Sequence, residues 1–188
     1  GKEVSRNKLA GKTVGFYFSA HWCPPCRRFT PQLAETYKKV VEKGNAFEIV
    51  FISSDKSEGQ FDEYYAEMPW AALPFSDRDR KAVLSKKYSV EGIPTLVILN
   101  PEGEVVTVDG REALGEDKEG EDFPWVPPSF DEMLGSSFIR PDGSELPLSD
   151  LEGKTIGLYF SAHWCGPCRG FTPKLAETYN KLKAAGKD

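Results

Sequence analysis

The chain contains four cysteines, and all of them stand in two C-x-x-C pairs, Cys23-Pro24-Pro25-Cys26 and Cys165-Gly166-Pro167-Cys168. Two cysteines at this spacing on the first turn of a helix can close a disulfide with little backbone movement. The first sits where the helix dipole and the free N–H groups of the first turn stabilise a thiolate. The second lies deeper and can resolve a mixed disulfide by attacking the first sulfur. On this reading Cys23 is the nucleophile and Cys26 the resolving thiol, with Cys165 and Cys168 as a second catalytic pair. Pro24 and Pro25 stiffen the first loop, whereas Gly166 leaves the second freer. The competing chemistry is a four-cysteine zinc site. It fits poorly, because such pairs sit on tight turns in loop-rich modules, and here each pair joins an apolar run to a helical pattern.

The neighbours of the cysteines extend the site. Trp22 and Trp164 directly precede the nucleophiles, either as packing residues or as flat apolar walls that dock substrate and shield the sulfur. His21 and His163 read as neutral surface histidines, since adjacency in sequence does not place a base on sulfur. Arg27 and Arg169 read as solvated helix residues rather than thiolate partners. Further on, Ile93-Pro94-Thr95 opens an apolar run. A proline there is expected to be cis and to present main-chain groups to an extended substrate. Trp22, Pro24, Pro25, Trp70, Ile93 and Pro94 make up the expected substrate-binding groove.

These residues need a scaffold, and the apolar patterning describes one. Thr13 to Ser19 and Phe47 to Ser53 are short, nearly all apolar runs, as strands covered on both faces should be. Between them Phe29, Leu33, Tyr37 and Val40 recur at helical spacing from Pro25 to about Gly44. Pro31 lies inside this helix and is expected to kink it. Ser57 caps a second helix through Phe61, Tyr64 and Tyr65. Asp77 to Tyr88 reads as a third, with Val83, Leu84 and Tyr88 inward. Ile93 to Leu99 and Val105 to Val108 form a hairpin around Asn100-Pro101-Glu102-Gly103. Glu112 to Pro128 closes the unit, with Trp125 requiring burial, and Phe130 to Leu134 is a short helix. The order implies an α/β fold, a central mixed sheet flanked by helices.

The motif repeats at an offset of 142 (165 − 23), and so do its flanks: Leu33-Ala34-Glu35-Thr36-Tyr37 meets Leu175-Ala176-Glu177-Thr178-Tyr179. That period belongs to tandem domains, not to a solenoid. Residues 1–136 are expected to form one complete domain, and residues 137–188 the front of an incomplete second unit. There Phe138-Ile139-Arg140 and Leu146-Pro147-Leu148 flank a turn, Thr155 to Ser161 repeats the first strand, and Pro167 to Ala185 the first helix. A lone strand and helix rarely bury enough apolar surface to fold unaided. Residues from about 137 are therefore expected to pack on the first domain or to exchange with a neighbouring chain, giving a strand- or domain-exchanged dimer.

Composition narrows the class. With 39% hydrophobic and 28% charged residues among 188, the chain reads as an ordinary globular protein. Its net charge of −5, without a basic stripe, argues against nucleic acid as a partner. Nothing approaches a membrane span. The N-terminal Gly1-Lys2-Glu3-Val4 shows neither an initiator Met nor a signal core, as an excised fragment would. Four clustered cysteines suit redox-active thiols in a reducing compartment better than a secreted disulfide framework.

The run Tyr17-Phe18-Ser19-Ala20-His21-Trp22-Cys23-Pro24-Pro25-Cys26, with Glu67-Met68-Pro69-Trp70, Leu73-Pro74-Phe75 and Phe123-Pro124-Trp125, resembles the nucleoredoxins and their relatives the tryparedoxins. These belong to the thioredoxin superfamily, and tandem domains favour nucleoredoxins. The resemblance implies a thioredoxin-like fold and protein-disulfide reductase activity on disulfide-containing proteins. It implies no bound cofactor, with electrons from an NADPH-dependent reductase or a dithiol donor, in the cytoplasm or the nucleus. The family's redox pair maps onto Cys23 and Cys26, and again onto Cys165 and Cys168; its cis-proline maps onto Pro94. One departure matters. Thioredoxins carry a buried Asp six residues before the first cysteine, where Tyr17 and Tyr159 stand. Proton transfer from Cys26 must use another group or water. The alternative function is a redox-sensing module whose C-x-x-C state controls partner binding.

Overall fold

The computed structural model describes residues 9–187, so the N-terminal Gly1 to Val4 read above lies outside them. Two compact units emerge, one ending at Pro127 and the other beginning at Pro128. In the first, the apolar runs become strands because each finds a ladder. β1 (Thr13–Ser19) pairs in parallel with β2 (Phe47–Ser53) and antiparallel with β4 (Thr95–Leu99). β3 (Ala71–Ala72), not expected from the sequence, extends β2, and β5 (Val105–Thr107) pairs with β4. The sheet order is β3-β2-β1-β4-β5, mixed as expected.

Alternation along β1 sends side chains to two cores. Tyr17 joins Phe29, Leu33, Val40, Phe47, Phe51, Trp70 and Leu96 on the face covered by α1 (Pro24–Glu42) and α2 (Glu58–Tyr65). Phe18 joins Ile52, Leu73, Tyr88, Val97 and Leu99 on the other. α1 runs through Pro31 as one element, and its Phe29, Leu33 and Val40 are buried with Tyr37 half-buried between them. Each such side chain contributes about 1.5–3 kcal/mol of burial. α3 (Arg78–Lys87) differs from expectation, since Val83 is 64% exposed. Leu84 and Tyr88, four apart, define its inner face, and Val83 lies about 100° round the helix from Leu84.

The closing segment holds a helix the sequence reading missed, α4 (Gly110–Glu116). A Cβ on Gly110 would stand 2.7 Å from the Leu96 carbonyl, so glycine lets α4 approach β4. Trp125 is buried as expected, its ring against Phe47 and Phe123. Its indole N–H donates to Asp117 at 3.0 Å. Thr36 on α1 donates to the Lys118 carbonyl, which ties this segment over the helix.

The second unit contains α5 (Phe130–Leu134), capped by Ser129, and a hairpin of β6 (Ser137–Ile139) and β7 (Glu145–Pro147). A single 3₁₀ turn (Leu148–Leu151) follows, then α6 (Gly166–Ala184). The strand expected over Thr155–Ser161 does not form. The counterpart in the first unit, which differs only by Val14 for Ile156 and Phe16 for Leu158, is a strand because β2 and β4 flank it, and among the described residues 155–161 pair with no strand. No residue of α6 is buried. Among the described residues no helix is long and apolar enough to cross a membrane.

Candidate active site

Cys23 is the N-cap of α1, in extended conformation (φ −93°, ψ 107°), and its sulfur accepts the Cys26 N–H at 3.3 Å. The sulfur thus occupies the place of a capping oxygen at the positive end of a 19-residue helix. Pro24 and Pro25 follow at the first two helical positions, where a missing N–H costs nothing. Cys23 and Cys26 form a disulfide with Cα atoms 5.2 Å apart. Cys26 is fully buried and Cys23 is 4% exposed.

The loop before Cys23 is held from β2 and the residues after it. Asp55 accepts the His21 N–H at 2.7 Å and the Ser53 hydroxyl at 2.8 Å. The Trp22 indole N–H donates to the Ser54 carbonyl at 3.1 Å, and the Lys56 ammonium lies 5.7 Å from its ring centre. Trp22 is 48% exposed, an apolar plate beside the sulfur. His21 stacks on Tyr64 and places Nδ1 3.7 Å from Glu63. Arg27 is exposed on α1. The sequence reading missed Asp55; an acid two residues past the end of a strand carried no sign that its target was a backbone N–H 34 positions away.

The other side of the sulfur comes from the start of β4. The Ile93–Pro94 bond is cis, as expected, Pro94 is buried, and the Cys23 sulfur lies 3.8 Å from the Ile93 carbonyl. From there an open groove of about 690 Å³ runs past Pro25, Arg28, Pro94, Asp109, Arg111 and Glu112. Trp22, Pro24, Pro25, Ile93 and Pro94 therefore gather around the cysteines, and Trp70 does not. Trp70 is 4% exposed in the core, edge-on to Tyr17 and Tyr37. The correction has a plain cause: the Met68-Pro69-Trp70 segment leads into β3, which turns the indole under α1 and away from solvent.

Beneath Cys26 stands Tyr17, whose hydroxyl donates to the Cys26 carbonyl at 3.4 Å. Burial, reinforced by the neighbouring Tyr64, pushes the Tyr17 phenol well above its ordinary pKa.

The second motif has the local geometry alone. Cys165 caps α6, its sulfur accepts the Cys168 N–H at 3.3 Å, and the two form a disulfide. Trp164 is 87% exposed and Phe160 likewise. Ile93 and Pro94 have no counterpart at the repeat offset within this chain. Among the described residues no three His, Cys, Asp or Glu side chains gather as a metal site.

Comparison with known proteins matches this geometry. A model of the thioredoxin-like family matches residues 11–105 and again 153–188. A probable nucleoredoxin 2 of Oryza sativa subsp. japonica is 38% identical over 206 residues, covering all of this chain and 52% of the relative. Tryparedoxin I from Leishmania major is 51% identical, with a TM-score of 0.64 over 68% of this chain and 88% of its own. A tryparedoxin II complexed with glutathionylspermidine is 47% identical, with a TM-score of 0.65 over the same shares, 68% and 88%. The chain spans between about a third and about half of the length of the curated relatives it matches. The chain belongs to the thioredoxin-like family, in the company of the nucleoredoxins and tryparedoxins.

Proposed function

We propose that the chain is a protein-disulfide reductase working through Cys23 and Cys26. In the reduced form the Cys23 thiolate attacks a substrate disulfide, forming one S–S bond as the substrate's own breaks. Cys26 then attacks the Cys23 sulfur, and the substrate sulfur leaves with the bonding electron pair and takes up a proton. Two electrons have passed to the substrate, and the enzyme holds the Cys23–Cys26 disulfide. The observation that carries this reading is the Cys23 sulfur at the N-cap of α1, beside the cis Pro94 bond and an open groove. Trp22, Pro24, Pro25, Ile93 and Pro94 line the docking site for an extended disulfide-bearing segment.

The redox domain spans residues 1–136, with 137–188 the front of a second such unit. Electrons come from an NADPH-dependent reductase or a dithiol donor. The working compartment is the cytoplasm or the nucleus. The exposed Phe171, Tyr179 and Leu182 of α6 support association through residues 137–188 by exchange with a second chain. A monomer on size-exclusion chromatography would remove that part of the proposal.

Insulin reduction with a reductase system tests the activity. Cys23→Ser is expected to fall to background, and Cys165→Ser to keep parental turnover. Activity surviving Cys23→Ser overturns the assignment. Disulfide exchange without turnover favours a redox-sensing binding module instead.

A further inference from the structure

Four buried hydroxyls lie directly under the resolving cysteine. Tyr17, Ser19 and Tyr64 are fully buried and Thr30 is 2% exposed. They come from three elements, β1, α1 and α2, and they close on themselves. Ser19 donates to Tyr17 at 3.0 Å, Tyr17 meets Thr30 at 2.8 Å, Thr30 meets Tyr64 at 2.5 Å, and Tyr64 meets Ser19 at 3.1 Å. The ring's outlet is a single atom, the Cys26 carbonyl oxygen, which accepts from Thr30 at 3.1 Å and from Tyr17 at 3.4 Å.

The two faces of the Cys26 residue are therefore pinned in different ways. Its N–H donates to the Cys23 sulfur, and its carbonyl rests on the ring. Among the described residues Cys23 shares no hydrogen bond with the four hydroxyls; its sulfur approaches the Cys26 N–H and the Ile93 carbonyl. The position is the one that the thioredoxin resemblance assigns to a buried acid, yet the ring holds no carboxyl group, and burial raises the Tyr17 phenol that stands there. Four hydroxyl protons can fill four of the six contacts at a time, four within the ring and two to the carbonyl, so every proton has an acceptor within reach. Such a closed buried network holds geometry when complete and loosens when one member is removed.

We propose that Tyr17, Ser19, Thr30 and Tyr64 are positioning residues for the resolving step, holding Cys26 where its sulfur attacks the Cys23–substrate disulfide. The ring does not serve the first step, in which Cys23 attacks the substrate. The proposal rests on the roles given above to Cys23 and Cys26.

The test uses the full chain with Cys165→Ser and Cys168→Ser, reduced and then mixed rapidly with 5,5′-dithiobis(2-nitrobenzoate). Attack by Cys23 releases one thionitrobenzoate in a first phase; attack by Cys26 on the mixed disulfide releases the second. Thr30→Val removes a direct donor to the carbonyl at constant shape and is expected to slow the second phase about tenfold. Tyr64→Phe opens the ring one member away and should slow it about threefold. Neither variant changes the first phase. Val40→Ala, a core deletion on the same helix, lowers the melting temperature without slowing the second phase selectively. Equal slowing of both phases, no slowing in either ring variant, or a selective effect in Val40→Ala overturns the proposal. Cys26→Ser must lose the second phase altogether; its persistence would overturn the assignment of Cys26, a different failure.

Discussion

The two C-x-x-C motifs share sequence and first-turn geometry, yet their surroundings are opposite. Both nucleophile positions cap a 19-residue helix, and both sulfurs accept an N–H at 3.3 Å. Tyr159 even repeats the local bonds of Tyr17, meeting Thr172 at 2.9 Å and the Cys168 carbonyl at 3.3 Å. The tyrosines nevertheless shift in opposite directions. Burial drives the Tyr17 pKa up, whereas hydrogen bonds from Ser161 and Thr172 draw the exposed Tyr159 down. In the first motif Trp22 is braced on Ser54, and in the second Trp164 stands 87% exposed. Helix capping is decided within a few residues, and the environment of the sulfur is decided by β2, α2 and the Pro94 segment.

Core deletion should break the comparison most widely. Leu33 is fully buried and its counterpart Leu175 is only half-buried. Leu33→Ala is expected to cost about 2–5 kcal/mol in chemical denaturation, and Leu175→Ala less than about 0.5 kcal/mol. Similar losses from both would mean that α6 is buried in solution. Removing the paired hydroxyls comes next. Tyr17→Phe leaves buried partners unsatisfied and should cost about 1–3 kcal/mol, while Tyr159→Phe should leave the denaturation midpoint unmoved.

The smallest effect concerns the closing segment, which the first motif has over its helix and the second lacks within this chain. Burial opposes ionisation of Asp117, but the N–H groups of Asp122 and Glu121, the Trp125 indole and the Gly120 N–H outweigh it, leaving its pKa below 3.8. A depressed carboxylate stabilises above its unfolded value, and the contribution is lost as pH falls through the folded one. Asp117→Asn should therefore be about 1 kcal/mol less stable than the parent near neutrality. The two should converge as pH drops below 3.8. A gap that persists in acid would show that the carboxylate's charge is not its source.

Much of the scaffold was legible because its signals are local. The bounds of β1 and β2, the Ser57 cap and the Phe130–Leu134 helix follow from apolar runs and capping residues. The cis Ile93–Pro94 bond was expected from its place at the start of an apolar run, and the family resemblance pointed to the same residue. α4 escaped because Gly110, Gly115 and acidic residues make a weak helical pattern, and packing on β4 decides it. Trp70 read as a groove residue because an aromatic beside a proline suits either a surface or a core. Asp55 and Tyr64 escaped because their partners lie 34 and 45 positions away. A hint was present for the rest of the ring, since Tyr17, Ser19 and Thr30 all recur as Tyr159, Ser161 and Thr172.

The sequence by itself determined where the sulfurs sit, because a helix N-terminus, two prolines and a capping position are settled within one turn of chain. Which of two near-identical motifs is enclosed was decided only by tertiary structure. A strand exists through its hydrogen-bonded neighbours and a buried hydroxyl through its partners, and for residues 13–30 those neighbours and partners arrive from positions 47–99.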